Sequence, residues 1–193
     1  MKIRYKNIIL RDMLRSDIED YLRWFTVKTE WLNTDAPWEA IDTDEAAERK
    51  SWTDYFETVK DLNDDVLRWK FEIDFDNVHL GWVSSYNIDD NYELFAGTDK
   101  NCRKAVGIDI CENIFGDRGI GTNALRVFAD YIFENGYSEI YTQTWSGNER
   151  MIHCATKLGF VECDRKTGIR EVDGKKYDAL TFVLSNKTNC KKI

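Results

Sequence analysis

The 193-residue sequence has only one proline, two histidines and no apolar run approaching about 18 residues. We therefore expect no membrane-spanning helix and no association with a membrane, and the charged opening Met-Lys-Ile-Arg-Tyr-Lys does not have the pattern of a secretory signal peptide. Two histidines are too few for a histidine-rich metal site, so no metal is predicted. The five cysteines are odd in number and lack CxxC spacing, which predicts reduced thiols and a cytoplasmic protein.

The composition is that of a folded globular protein. Aromatic residues make up 13% of the chain and hydrophobic residues 42%, and no segment is of low complexity, which excludes a disordered chain. A chain of this length predicts a single domain over residues 1–193, with residues 186–193 as a tail.

The negative charge is concentrated in one part of the chain. The formal net charge is −8, and residues 35–76 alone contain 14 acidic and 5 basic residues. Because such a segment repels phosphate backbones, nucleic acid is not an expected partner. Two interpretations stay open, a solvated helix face that keeps the protein soluble and a surface that attracts a cationic partner.

The first half of the chain predicts strands that flank two helices. Residues 3–10 are β-branched and aromatic and predict one strand, and Ser16-Asp-Ile-Glu19 has the pattern of a capping box. An amphipathic helix is predicted behind it from apolar residues at helical spacing, namely Ile18, Tyr21, Leu22 and Phe25. A second helix is predicted to begin near Thr43, and Asp76-Asn77 predicts a hairpin between two longer strands.

The second half predicts alternating strands and helices. Its predicted elements are a strand over 105–111, a helix from Thr122 to Asn135-Gly136, a strand over 139–145, a helix from Asn148 to Gly159, and strands over 160–163 and 177–184 joined by a polar excursion. The fold class is therefore mixed α/β (α+β), with a central twisted, mostly antiparallel sheet and helices on both faces.

A glycine-rich segment, Gly116-Asp117-Arg118-Gly119-Ile120-Gly121-Thr122, lies between a predicted strand and a predicted helix. The free backbone N–H groups of a helix N-terminus carry partial positive charge and bind phosphate or pyrophosphate, and glycines let the anion approach the backbone. Arg118 adds a full positive charge. The segment therefore predicts a phosphate-binding loop, with an ordinary tight turn as the alternative.

Two common phosphate-binding motifs fit this segment poorly. A Walker loop needs Gly-Lys-Ser/Thr, and Gly121-Thr122 lacks the lysine. A dinucleotide-binding fingerprint is formally present as Gly119, Gly121 and Ala124. That fingerprint should lie near the start of a domain and carry an acidic residue at the end of the next strand, where this sequence has Thr144-Trp145.

The spacing Gly116-x-x-Gly119-x-Gly121 before a helix resembles motif A of the GCN5-related N-acetyltransferases (GNAT), although Gly116 stands where those enzymes usually have Gln or Arg. About 26 residues further on, the segment from Trp145 to Phe160 resembles their motif B, in which an asparagine opens a helix that ends in Lys-x-Gly-Phe. The sequence is most similar to the branch of ribosomal-protein N-terminal acetyltransferases and aminoglycoside 6'-acetyltransferases. The resemblance implies the acyl-CoA N-acyltransferase fold, acetyl-CoA as co-substrate, and direct attack of a primary amine on the thioester.

The resemblance also implies a cofactor site. The backbone N–H groups at Ile110, Cys111 and Glu112 are expected to meet the pantetheine arm and the thioester carbonyl, a role for which donors held in place before charge develops are suited. The predicted cofactor-binding residues are Ile110, Cys111, Gly116, Asp117, Arg118, Gly119, Ile120, Gly121, Thr122 and Asn148.

Asp109 is the candidate general base. A carboxylate inside the apolar strand Val-Gly-Ile-Asp-Ile-Cys is out of place, and partial burial would raise its pKa towards the working pH. A similar Gly-Ile-Asp segment occurs in aminoglycoside 6'-acetyltransferases, where the aspartate is the proposed base. The alternative is an edge-strand aspartate that faces water or pairs with Arg103. Glu112 is the second choice as base.

The general acid and the acceptor stay open. Many family members have a tyrosine in motif B where this sequence has Ala155, and Cys154 beside it is interpreted as a core thiol. A catalytically inactive acyl-CoA-binding or interaction module is therefore the alternative function. The expected acceptor is a small cationic amine or a peptide N-terminus, and a homodimer is compatible with the sequence. The tryptophans of the first third of the chain either line the acceptor groove or belong to the core.

Overall fold

The computed structural model describes residues 1–39, 44–97, 102–112 and 118–186. The strands are β1 (Lys2–Tyr5), β2 (Ile8–Arg11), β3 (Lys70–Phe75), β4 (Val78–Ile88), β5 (Arg103–Ile110), β6 (Glu139–Trp145), β7 (Val161–Val172) and β8 (Lys175–Ser185). The helices are α1 (Asp17–Thr26), α2 (Leu32–Asp35), α3 (Glu45–Val59), α4 (Ile120–Glu134) and α5 (Glu149–Leu158).

The eight strands form one sheet in the order β1-β2-β3-β4-β5-β6-β8-β7. All neighbouring strands are antiparallel except β5 and β6, which are parallel and are connected through α4. Helices pack on both faces of the sheet, α4 and α5 on one and α1 and α3 on the other. The predicted fold class, a mixed and mostly antiparallel sheet between helices, is confirmed.

The face of the sheet that is covered by α4, which we call the apolar face, carries the larger core. Leu125, Phe128 and Ile132 lie on one side of α4 and are completely buried against the strands. Burying a side chain of this size contributes about 1.5–3 kcal/mol, so this contact supplies much of the stability of the fold.

The opposite face, which we call the polar face, is covered by α1 and α3. Its packing is aromatic: Tyr21 and Trp24 of α1 are fully buried, and Tyr21 stacks on Trp52 of α3 with ring centroids 3.8 Å apart. Charged groups are buried among these rings, including Glu72 of β3 at 1% exposure. Because a charge loses its hydration on burial, each such group needs a partner.

Two N-terminal predictions are wrong. Residues 3–10 form a hairpin of two strands because Lys6, with φ of 53°, turns the chain between β1 and β2. The Ser16 side chain makes no capping hydrogen bond to α1. The Asp17 carboxylate instead accepts from the Leu14 N–H at 2.7 Å and from the Arg11 guanidinium at 2.6 and 2.9 Å, so a long-range ion pair replaces the local cap.

Other boundaries differ as well. Helix α4 begins at Ile120 rather than Thr122, with Gly119 as its N-cap. The segment predicted as a polar connection between the last two strands belongs to the strands themselves. β7 and β8 form a long hairpin that turns at Asp173-Gly174. The hairpin at Asp76-Asn77 is confirmed, and both residues have the positive φ that such a turn requires.

Some predictions fall outside the described residues. These are the start of the second helix at Thr43, the loop residues Gly116 and Asp117, and the tail beyond residue 186. Within the part of the chain that is described, no helix combines the length and the apolar character needed to cross a bilayer. The single domain and the cytoplasmic location stay predictions.

Candidate active site

The N-terminus of α4 begins in a left-handed glycine. Gly119 has φ of 69° and caps the helix without a side-chain acceptor, and the first turn contains no acidic residue. The N–H groups of Ile120, Gly121 and Thr122 therefore stand at a helix end whose partial positive charge is not neutralised from its own first turn. This is the local arrangement that the phosphate-binding prediction requires.

Strands β5 and β6 diverge beside this helix. Among the described residues, the two strands are paired only at Ala105 and Tyr141. Cys111 donates to the Leu80 carbonyl of β4 at 2.7 Å, and antiparallel strands alternate in the direction of their N–H groups. The N–H groups of Ile108 and Ile110 therefore point away from β4, into the gap between β5 and β6.

This direction corrects part of the sequence prediction. The N–H groups of both Cys111 and Glu112 donate to the Leu80 carbonyl, at 2.7 and 3.2 Å, and so face the wrong strand for a ligand in the gap. Ile110 faces the gap as expected, and Ile108 is a second donor that the sequence analysis missed. The direction of the N–H groups alternates along a strand, so the sequence could have identified Ile108 as a donor only if the register with β4 had been known.

The helix end and the gap are neighbours. A Cβ placed on Gly121 would lie 3.8 Å from Cδ1 of Ile108 and 3.9 Å from Cγ1 of Ile110. The first turn of α4 therefore rests on the same two residues whose N–H groups line the gap. An anion at the helix terminus and an extended arm in the gap can belong to one ligand.

Asp109 lies on the polar face, opposite Trp82 of β4. Burial and the nearby Asp35 carboxylate raise the pKa of Asp109 to about 8, against the opposing effects of Lys70 and a hydrogen bond from Trp82. A partly buried carboxylate with a pKa near neutrality is suited to accept a proton. The alternative partner Arg103 pairs with Asp90 instead, at 3.1 Å.

Close contact between β4 and β5 at this point depends on a glycine. Gly81 has φ of 151°, and a Cβ placed on it would lie 1.9 Å from the Asp109 carbonyl oxygen. The absence of a side chain therefore lets β4 approach the backbone of Asp109 and helps to fix its position.

Glu112, the second choice as base, has a different role. Its carboxylate accepts hydrogen bonds from Arg23 at 2.9 Å, from Trp24 at 3.0 Å and from Lys28 at 2.8 Å. Although burial acts to raise its pKa, these hydrogen bonds lower it overall. A carboxylate with three donors is a poor proton acceptor, so Glu112 anchors α1 to the end of β5.

A cavity of about 460 Å³ opens on the polar face between α2 and the β6, β7 and β8 strands. Its lining includes Asp35, Trp38, Tyr86, Trp145, Arg170 and Thr181. Tyr86 belongs to the wall, and its ring lies over Gly107, two residues before Asp109 on the same face of β5. Asp109 therefore lies next to this cavity although it is not part of the wall.

The charged groups around the cavity are unevenly compensated. Lys166 forms an ion pair with Glu93, and the Arg170 guanidinium lies 4.7 Å from the Trp38 ring centroid. Burial and the neighbouring Glu39 raise the pKa of Asp35, which shows that its carboxylate is poorly stabilised as an anion. The Asp35 carboxylate is thus the group of the wall that a positively charged ligand would compensate.

The tryptophans divide between the two interpretations left open by the sequence. Trp24 is fully buried in the core, whereas Trp38 lines the cavity and packs against Trp145 with ring centroids 5.8 Å apart. The packing of α2 against β6 brings Trp38 to the cavity, and the sequence pattern alone does not distinguish it from the core residue Trp24.

The motif B helix is built as its sequence predicts. Asn148 caps α5 by accepting from the Met151 N–H at 3.0 Å, and its amide donates to the Thr34 carbonyl at 2.7 Å. The side chain therefore joins α5 to the segment that lines the cavity. Ala155 is completely buried and contributes no polar group.

A cluster of Asp17, Asp20 and His79 brings potential metal ligands together on the polar face. The two Asp17 oxygens are already bound by Arg11, and His79 contacts Asp20 at 2.8 Å and Glu72 at 3.1 Å. Burial opposes charge on His79, but these carboxylates raise its pKa to about 9. A protonated histidine fills the centre of the cluster, which makes it an ion-pair network.

Comparison with known proteins agrees with this geometry. A family model described as an acetyltransferase (GNAT) domain matches residues 7–161. No curated protein matches the sequence.

Several solved structures share the fold. The ribosomal-protein-S5-alanine acetyltransferase from Vibrio fischeri is 20% identical, with a TM-score of 0.72 over 97% of each chain. RimJ of Mycobacterium smegmatis, in complex with CoA-disulfide, is 19% identical, with a TM-score of 0.69 over 96% of this chain and 84% of that one. YncA of Salmonella typhimurium, a putative acetyltransferase with acetyl-CoA, is 16% identical, with a TM-score of 0.66 over 93% and 94%.

These structures show the fold, and the family model covers most of the chain. The match confirms the family predicted from the two motifs, and with it acetyl transfer to an amine with acetyl-CoA as co-substrate. The chain belongs to the GNAT family of acetyltransferases.

Proposed function

We propose that this acetyltransferase acts on a cationic primary amine that enters the cavity on the polar face, with Asp109 as the general base. The observation that carries the proposal is the position of Asp109, a partly buried carboxylate with a pKa raised to about 8, beside both the cavity and the β5–β6 gap. The acceptor would reach this carboxylate from the cavity, and the thioester would reach it from the gap.

The helix end and the gap support a binding site for the acetyl donor. In the proposal the diphosphate of acetyl-CoA binds the N–H groups of Ile120, Gly121 and Thr122, with Arg118 adding positive charge. The pantetheine arm then runs along β5, where the N–H groups of Ile108 and Ile110 face it. The roles of Gly116 and Asp117 in cofactor binding stay predictions, and Asn148 holds the cavity wall rather than the thioester.

The chemistry follows from these positions. The amine lone pair attacks the thioester carbonyl carbon, and backbone donors in the gap stabilise the charge that develops on the carbonyl oxygen. Asp109 first takes a proton from the ammonium group and so frees that lone pair. As the C–S bond breaks with its electron pair on sulfur, a second proton leaves the nitrogen and neutralises the thiolate. A thiol pKa of about 8.5 makes the thiolate a tolerable leaving group.

The acceptor class is supported by charge. An ammonium group in the cavity would compensate Asp35 and, before proton transfer, Asp109. The two acceptors expected from the sequence, a small amine and a peptide N-terminus, both carry an ammonium group. The names of the structural neighbours, which include a ribosomal-protein-S5-alanine acetyltransferase, favour the peptide N-terminus.

An acceptor panel tests the proposal. Purified enzyme with acetyl-CoA is assayed for thiol release with polyamines, aminoglycosides, and peptides that begin with Ser or Ala. We expect turnover with at least one class, and Asp35→Asn to raise the KM of that acceptor about tenfold without changing the KM of acetyl-CoA. The matched control is Asp54→Asn, a change on the exposed side of α3 in the same acidic segment.

The outcomes separate the alternatives. If Asp54→Asn and Asp35→Asn raise KM equally, the acceptor is attracted by the whole acidic segment and the cavity is not its site. If acetyl-CoA raises the melting temperature but no amine is acetylated, the inactive-module alternative is favoured. The homodimer stays a prediction, which sedimentation analysis of the purified chain tests.

A further inference from the structure

The wall of the polar-face cavity carries a positive charge that the proposed reaction does not use. Arg170 of β7 is partly buried, and its guanidinium carbon lies 4.7 Å from the centroid of the Trp38 ring. Among the described residues, no carboxylate lies within ion-pair distance of Arg170, whereas Lys166 on the same wall pairs with Glu93. A negatively charged group of a ligand would therefore compensate this guanidinium.

Trp38 is itself held in place on the floor of the cavity. The Trp145 indole N–H and the Asn148 amide both donate to the Thr34 carbonyl, at 3.0 and 2.7 Å, and so tie the segment before Trp38 to β6 and α5. The Trp38 ring then packs edge-on against Trp145. Because an aromatic face attracts a cation, Trp38 positions the Arg170 guanidinium at the cavity without neutralising its charge.

The sheet separates Arg170 from the candidate base. Asp109 is on β5 and Arg170 on β7, and β6 and β8 lie between these two strands. Neighbouring strands are about 4.8 Å apart, so the two backbones are separated by about 14 Å. Since Trp38 packs on Trp145 of β6, the guanidinium reaches inward from β7. Its distance from the Asp109 carboxylate is therefore roughly 10–14 Å.

This separation sets the length of the acceptor. A hydrogen bond of about 3 Å at each end leaves roughly 4–8 Å between the ammonium group and the carboxylate of the ligand. An extended peptide advances about 3.4 Å per residue, so a carboxylate on the second or third residue fits this range. A free α-amino acid, in which one carbon joins its ammonium and α-carboxylate groups, is too short.

The rim of the cavity also fits a peptide. Leu94 and Ile169 line the cavity, although they are 78% and 52% exposed. Ile169 precedes Arg170 in β7, so a peptide chain that leaves the cavity beside the guanidinium would cover apolar surface. Polyamines and aminoglycosides carry several positive charges, which Arg170 repels. The wall therefore favours a peptide over a small polycation.

Asp164 is another carboxylate on this wall, but it lies away from Arg170. In the β7–β8 hairpin Asp164 pairs with Thr181, whereas Arg170 pairs with Tyr177. The two partners are separated by four positions in β8, which corresponds to about 13 Å. An acidic side chain bound at Arg170 is therefore not repelled by Asp164 at close range.

We propose that Arg170 is a specificity-determining residue that selects peptide acceptors with an acidic side chain at the second or third position. The inference rests on the proposed function, in which the peptide ammonium group lies beside Asp35 and Asp109. The guanidinium, held on Trp38, forms an ion pair with the acidic side chain and so fixes the direction in which the peptide leaves the cavity.

Matched peptides test the proposal. Peptides that begin with Ser carry a single Glu at the second or the third position, and each has a partner peptide with Gln there. We expect the wild-type kcat/KM to be about tenfold higher for Glu than for Gln at one of these positions, mainly through KM. Arg170→Gln should remove this preference, and Arg170→Glu should instead favour a peptide with Lys at that position.

The control variant is Arg165→Gln. Arg165 is an exposed arginine on the same strand that pairs with Glu162 and Asp178 and does not line the cavity. It should keep the full preference for Glu over Gln. Because an ion pair is weakened by salt, the wild-type preference should also decrease as the ionic strength rises.

The ratio between Glu and Gln peptides separates a charge contact from a structural role. A ratio near one in the wild type, or an unchanged ratio in Arg170→Gln, overturns the assignment. An equal loss of kcat/KM for both peptides in Arg170→Gln also overturns it, because the residue then only supports the fold. Faster acetylation of polyamines, aminoglycosides or free glutamate than of any peptide overturns the acceptor class and leaves Asp109 as base. If no acceptor at all is acetylated, the proposed function fails, and this inference fails with it.

Discussion

The two faces of the sheet use the same strands for opposite purposes. On the apolar face, Ile108 and Ile110 of β5 pack beside α4 among completely buried aliphatic side chains. On the polar face, the alternate residue Asp109 lies with Trp82, Lys70 and Tyr86 among partly buried charges and rings. A single strand therefore contributes to the core on one side and carries the proposed general base on the other.

The two faces contribute differently to the stability of the fold. Burial of apolar groups stabilises the first face without a need for specific partners. The second face holds a histidine, several carboxylates and a lysine whose pKa is lowered by burial, and each of these needs compensation. The proposed reaction site therefore lies on the face where buried charge reduces the gain in stability.

The largest expected effect comes from removing the base on the polar face. Asp109→Asn should lower kcat about 10²–10⁴-fold and leave acetyl-CoA binding intact. In the wild type the rate should rise with pH through an apparent pKa near 8, because only the ionised carboxylate accepts a proton, and this rise should be lost in the variant. Initial rates at saturating substrate across pH provide the measurement, with the exposed Asp90→Asn as control.

Asp109→Asn, which should lower kcat, should raise the free energy of unfolding. The folded protein holds the Asp109 proton up to a pH of about 8, whereas the unfolded chain releases it near its ordinary pKa of 3.8. Asp109 therefore costs stability increasingly as the pH rises between these values, and Asp109→Asn should be more stable than the wild type at pH 8, by about 1–3 kcal/mol. A less stable variant would contradict the buried environment of the carboxylate.

An intermediate effect is expected on the apolar face. Leu125→Ala removes a fully buried side chain of α4 and should lower the free energy of unfolding by about 2–5 kcal/mol. The kcat of the folded fraction should change little, because the side chain lies across the sheet from Asp109. Urea unfolding checks the first expectation, with Val161→Ala, at 65% exposure, as control. A large loss of kcat at low temperature would show that the two faces are not separable.

A smaller effect than that of Leu125→Ala is expected from the buried ion pairs of the polar face. The pKa of His79 is about 9 in the folded state and about 6.5 in the unfolded chain, so its charge stabilises the fold fully below pH 6.5. This contribution, about 2–3 kcal/mol, should be lost as the pH rises through 9. Urea unfolding of His79→Gln between pH 6 and pH 10 should therefore approach the wild-type curve at the alkaline end. The exposed His153→Gln should follow the wild type throughout, and a constant difference for His79→Gln would exclude a charge effect.

The helix end at Gly119, the caps of α5 and the motif B helix could be predicted because each is a local pattern. Gly119 and Gly159 mark helix ends by their positive φ, and Asn148 caps by reaching the Met151 N–H within its own turn. The capping box failed for the opposite reason. Ser16 lost its role when Arg11 drew Asp17 into an ion pair, an interaction that depends on the neighbouring strands.

The candidate site was predictable only in part. Asp109 was found because a carboxylate in an apolar strand is unusual, but its pKa depends on Asp35, a residue 74 positions away. The bonds of Glu112 to Arg23 and Lys28, and the reach of Tyr86 across Gly107, also join distant parts of the chain.

The sequence by itself determined the family, the helix proposed to bind the diphosphate and the strand that carries the candidate base, since these depend on residue types at short spacing. Only the tertiary structure decided which backbone N–H groups face the gap, which carboxylates lie close enough to raise the pKa of Asp109, and where the cavity opens. The physical reason is that strand direction, burial and charge proximity are set by which elements pack together, and a one-dimensional pattern carries no distances.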